Sequence, residues 1–201
     1  MLIYVYQFLY ISFLSSFLHF SYDLSNHLFI FSIIGAVNES VYEHLRLGIF
    51  PWFSWFLIRW YFFSFENTFF GNLIAILSFM TMILSIFYGV LFIFKKHFLP
   101  VSISSFYIGV LFGSFMEYLI NSLFYNKILE LIGLIGCIFI FFYGMISSYY
   151  PYKCFLTIDK RYQLYGMEAH SKRCDITKRK KYIVYIFNLL GIPLPKDEEK
   201  E

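Results

Sequence analysis

Ionised side chains are scarce in this chain: Asp, Glu, Lys and Arg make up 14 % of its 201 residues, against roughly 25 % in soluble domains. That excludes an ordinary soluble globular domain and, equally, a disordered chain, which needs still more charge. Glycine occurs only eleven times, so a collagen-like repeat is excluded too. The three cysteines are an odd number with no close pairing and supply no disulfide framework. They fit reduced thiols on a cytosolic side. Alanine occurs only three times. What fills the chain instead is apolar bulk. Hydrophobic residues are 59 %, and the 28 Phe and 18 Tyr together outnumber all 29 ionised side chains. Mean hydropathy is +0.64. This is the composition of an integral membrane protein.

A helix needs about 20 apolar residues to cross a hydrocarbon layer about 30 Å thick. Residues 2–20, 47–65, 73–94, 101–125 and 131–150 meet that length. Residues 2–20 lack a basic leader and an A-x-A site, so they are expected to be a retained span and not a signal peptide. Residues 28–37 are apolar but too short to cross alone. The expected fold is an all-α, polytopic transmembrane helix bundle of five or six spans, depending on whether 28–37 crosses or re-enters.

The remaining charge is uneven. Residues 1–150 carry five Lys/Arg and six Asp/Glu, whereas residues 151–201 carry eleven and seven. The chain therefore divides into a transmembrane domain, 1–150, and a basic tail, 151–201. Positive-inside counting puts that tail and the Lys95–Lys96 loop on the cytoplasmic side. Lys172, Arg173, Lys178, Arg179, Lys180 and Lys181 crowd the tail, followed by an apolar stretch, 182–195, suited to lie on the membrane surface. The basic cluster is a candidate contact for anionic lipid headgroups, alongside its plainer role as a positive-inside anchor. Cys154, His170 and Cys174 lack a fourth ligand at zinc spacing.

Ionisable groups at membrane depth are costly unless paired, so each is a candidate site. Arg59 and Glu117 fall near mid-depth by counting. Asn121 lies one helical turn beyond Glu117, on a ridge that also carries Gly109 and Gly113 in a G-x-x-x-G pair. Gly133 and Cys137 are the expected small-residue counterpart of that ridge. Three readings stay open: an Arg59–Glu117 ion pair, a substrate or ion path along Glu117 and Asn121, and a protonated, hydrogen-bonded Glu117.

The densest polar cluster comes earlier. His19, Asp23 and His27 are spaced i, i+4, i+8, and Asn38-Glu39-Ser40-Val41-Tyr42-Glu43-His44-Leu45-Arg46 follows. Ser40 and Glu43 form a capping box, which predicts a helix beginning at Ser40, and Pro51 predicts a kink or a fresh span start. His19, Asp23, Glu39, Glu43 and His44 are candidate ligands for a divalent metal ion. Glu43 and His44 are candidate acid–base groups, and Arg46 a candidate anion contact. The structural alternative is that Glu43 only caps its helix and pairs with Arg46 three residues on. No H-E-x-x-H, G-x-S-x-G or phosphate loop is present.

The stretch Phe17-Leu18-His19-Phe20-Ser21-Tyr22-Asp23, the run Asn38–Arg46 and Phe50-Pro51 together resemble an uncharacterised bacterial multi-span membrane family. Its members carry L-H-F-x-Y-E, then P-V-N-E-S-x-W-E-H-L-K and F-P. This chain has Ala36 for the Pro, Tyr42 for the Trp, Arg46 for the Lys and Asp23 for the Glu. The resemblance implies a multi-span fold and a region of interest, and no reaction. The expected function is a polar or metal-binding site at the membrane interface that binds or acts on a lipid-like ligand. The alternatives are a transporter or channel along Glu117 and Asn121, and a non-catalytic subunit of a membrane complex. Expected partners are the bilayer and a membrane protein or second copy; nucleic acid is not expected.

Overall fold

The computed structural model describes residues 2–26, 28–38, 40–63, 68–96, 98–123, 126–159 and 164–167. Six helices follow in order: α1 (Leu2–Leu24), α2 (Phe29–Ile34), α3 (Val41–Phe62), α4 (Phe69–Phe94), α5 (Leu99–Leu123) and α6 (Lys127–Ile146). A two-residue antiparallel pair closes the described chain, β1 (Ile158–Asp159) against β2 (Leu164–Tyr165), with Ile158 opposite Tyr165. The all-α bundle expected from composition is the observed architecture.

Among the described residues, four helices are long and apolar enough to cross a membrane: α1, α4, residues 100–123 of α5, and α6. The fifth long helix, α3, has 22 residues and carries Glu43, Arg46 and Arg59. It starts six residues before the span expected at 47–65, because its capping box makes the polar segment itself helical. Ser40 is the N-cap and its hydroxyl accepts from Glu43 N at 3.2 Å. α2 is six residues long, about 9 Å, and so does not cross.

Pro51 sits inside α3 and does not begin a new helix. A proline cannot donate to the carbonyl four residues earlier. That carbonyl belongs to Leu47, and the Ser15 hydroxyl of α1 donates to it at 3.0 Å. The same contact sets direction: Ser15 meets Leu47, Tyr10 meets Ser54 and Gln7 meets Trp55, so α1 and α3 are antiparallel. α3 and α6 are also antiparallel, through Arg46 with Gly144 and Phe53 with Phe141. The start of α1 and the end of α6 therefore lie at opposite ends of the bundle.

α4 packs between α5 and α6, which corrects the expected pairing of small residues. A Cβ on Gly113 would meet Ala75 O at 2.7 Å, and one on Gly133 would meet Phe70 N at 2.2 Å. Both close approaches are to α4, so the α5 ridge and Gly133–Cys137 press on one helix from different sides rather than on each other. The core between these elements holds Ile11, Trp52, Trp55, Ala75, Ile76, Phe79 and Val110. The outer face is apolar as well: Phe13, Leu57, Phe92 and Phe139 are each more than half exposed. In water such a surface would drive aggregation; it matches a lipid surrounding.

Candidate functional site

The end of α1 and the start of α3 come together because α2 folds back between them. His19 and His44, 25 residues apart in sequence, have ring centroids 5.2 Å apart. His44 Nδ1 donates to Ser40 O at 2.8 Å. A carbonyl only accepts, so in the neutral ring the lone pair sits on Nε2. Asp23 lies one turn beyond His19 on α1. Glu39 and His27 lie outside the described residues. Among the described residues no three His, Cys, Asp or Glu side chains converge to hold a metal ion.

Glu43 is drawn into a packed junction: it is 2 % exposed, and both carboxylate oxygens are engaged by other groups. Oε2 accepts from Arg46 Nη2 at 2.6 Å and from Val37 N at 3.1 Å, and Oε1 accepts from Ser148 Oγ at 3.2 Å. Arg46, also 2 % exposed, extends the same junction. Its Nη1 donates to Ile33 O at 2.5 Å and Gly144 O at 3.2 Å, and its Nη2 donates to Gly35 O. A six-residue helix exposes its last carbonyls, and this guanidinium collects those of α2. Arg46 is thus occupied with backbone, which corrects its expected role as an anion contact.

The second cluster sits at the opposite end. Arg59 Nη2 donates to Glu117 Oε1, Gln7 Nε2 donates to Glu117 Oε2 at 2.7 Å, and Trp55 Nε1 donates to Gln7 Oε1 at 3.0 Å. Ser114 accepts from Gln7 Nε2 at 3.2 Å. Gln7, Arg59 and Glu117 are fully buried. The chain forms the ion pair. It is not at mid-depth: Arg59 is one turn from the C-terminus of α3, and Glu117 lies six residues from that of α5. Asn121 donates to Tyr4 OH at 3.5 Å and accepts from Thr68, the N-cap of α4. Gln7 is the one amide in the apolar run of α1, and its partners are 48 and 110 residues away.

A family model matches residues 3–167, a range that holds both clusters. The chain belongs to DUF6512, a family of unknown function. No curated protein and no solved structure matches it. In this DUF6512 protein the matched range extends past α6 to a strap that fastens the first cluster. Asn38 Nδ2 donates to Gly166 O at 3.0 Å, Tyr42 N to Leu156 O at 2.9 Å, and Met167 N to Ser148 O at 3.0 Å. Cys154 lies in this strap. Burial pushes its thiol pKa up, but hydrogen bonds from the Leu156 and Thr157 amides and the Thr157 hydroxyl together outweigh that, leaving it below the ordinary thiol value. Lys172, Arg173, Lys178, Arg179, Lys180, Lys181 and segment 182–195 lie outside the described residues.

Proposed function

We propose that this DUF6512 protein is a five-span membrane protein whose working site is the His19–His44 pair, two imidazoles that hold a divalent metal ion. α3 supplies the fifth span. Its three charges are matched inside the bundle, Glu43 with Arg46 and Arg59 with Glu117, which removes most of the cost of taking them into the membrane. Exposed aromatic residues flank the ends of the bundle. Trp60, Tyr61 and Phe62 mark one end, and Phe94, Tyr150 and Phe155 the other, as expected of residues at the headgroup level. The C-terminal end, with Lys95, Lys96, Lys153 and the basic tail, is assigned to the cytoplasm, where the tail contacts anionic lipid.

The observation that carries the site reading is the convergence of two imidazoles from different helices, with one tautomer set by Ser40 O. Imidazole nitrogens oriented by a backbone carbonyl are typical ligands of zinc and similar ions. Glu43 is assigned a positioning role, because it anchors the turn of α3 that carries His44. The exposed neighbours of His19 on α1, Phe17, Phe20 and Leu24, are apolar, which suits a lipid-like ligand.

Metal content of the purified chain tests this. The wild type is expected to hold about one divalent ion per chain, and His19→Ala and His44→Ala each about tenfold less. Equal content in all three proteins, or none in the wild type after growth with added zinc, contradicts it.

A further inference from the structure

Arg59 is fully buried, yet only Nη2 of its guanidinium donates to an acceptor. Nε and Nη1 have no hydrogen-bond partner among the described residues. Burying such a group unsatisfied costs about 1–3 kcal/mol, so chains keep one where an acceptor fills the place. The Tyr4 ring, 5.8 Å from the guanidinium carbon, attracts the charge through its face. The ring face does not satisfy N–H bonds that lie in the guanidinium plane, and the Tyr4 hydroxyl, although it interacts with Arg59, makes no hydrogen bond of full geometry to Nε or Nη1.

Charge balance identifies the missing acceptor. Arg59 and ionised Glu117 are neutral together, so an anion added to the pair would leave one uncompensated negative charge inside the bundle. A proton on Glu117 cancels that charge. The carboxyl can still accept from Gln7, and Arg59 turns to the anion. We propose that Arg59 binds a small monovalent anion of chloride size together with one proton, taken from solvent by Glu117. This reading is independent of the metal site at the other end of the bundle.

The surroundings limit the choice further. Among the described residues, the other titratable groups around the pair are Tyr4 of α1, whose ring meets that of Tyr118 of α5, and Cys137 of α6, which lies within electrostatic range of Glu117. Glu130 of α6 is spent on the Phe69 amide at 2.8 Å. α4 presents neutral Thr68 and α5 neutral Ser114 and Asn121. One carboxylate supplies one proton site, so a divalent anion would stay uncompensated. Arg59 and Glu117 are fully buried, which favours a halide over a bulky organic acid.

Thermal unfolding of the full chain in detergent, in chloride and in equimolar gluconate from pH 5 to 8, tests the proposal. Chloride is expected to raise the wild-type midpoint more at pH 5 than at pH 8, because the anion is taken up together with a proton. Glu117→Gln, a neutral mimic, keeps the chloride effect at every pH, and Arg59→Gln loses it at every pH. Equal midpoints in the two salts for both wild type and Glu117→Gln overturn the site. A wild-type chloride effect that ignores pH overturns the proton coupling. One that survives Arg59→Gln places the anion elsewhere and overturns the assignment.

Discussion

Arg59→Met is expected to destabilise the protein by about 3–5 kcal/mol, the usual cost of removing one partner of a buried ion pair. The reason lies in what is left behind. Glu117 would keep one strong donor, Gln7 at 2.7 Å, around a carboxylate with no exposure to water. Much of the loss is the burial of that unmatched charge, not the attraction of the pair itself. The double variant Arg59→Met/Glu117→Gln should therefore recover well over half of the stability, because no ion remains to be buried. Denaturant unfolding in a single detergent measures both. A single variant within about 1 kcal/mol of wild type, or a double variant worse than the single, would contradict the buried pair.

Arg46→Lys is expected to cost about 3 kcal/mol although the charge is kept, because a lysine cannot reproduce the planar fork of donors. Arg46 reaches Ile33 O, Gly35 O and Gly144 O while also pairing with Glu43. One ammonium can keep the Glu43 contact but must abandon most of the carbonyls. The carbonyls of α2 then stand unsatisfied in an apolar setting. Metal content should fall along with stability, since α2 is what brings the end of α1 to the start of α3. Lysine matching arginine in both measurements would show that only charge matters at position 46.

The sequence made some of this legible. Residues 28–37 are too few to cross, and the helix they form is shorter still. Ser40 and Glu43 announce a capped helix start through purely local geometry. Arg59 and Glu117 stand out because charges at membrane depth need partners, and they found each other. What could not be read depends on packing between distant segments. Glu43 takes Ser148 from 105 residues away, and nothing in the local pattern says that its carboxylate turns toward the end of α6. The use of Arg46 as a collector of backbone carbonyls was equally hidden, since any nearby helix end could have claimed it. Gln7 was conspicuous but mute: an amide takes partners of either polarity. Pro51 signalled a break, and only the Ser15 hydroxyl across the α1–α3 contact explains why the helix continues.

The most direct test of the central claim is a thiol cross-link between positions 19 and 44. In a background with Cys137, Cys154 and Cys174 replaced by serine, His19→Cys/His44→Cys should be joined rapidly in membranes by a short bifunctional thiol-reactive reagent. Side chains whose ring centroids lie 5.2 Å apart start from neighbouring positions within reach of such a bridge, even where the Cβ atoms are too far apart for a direct disulfide. A His19→Cys/Ile58→Cys pair, joining the end of α1 to the far end of antiparallel α3, should not. Failure of the 19–44 pair to cross-link, or equal cross-linking of both pairs, would contradict the convergence on which the proposed site rests.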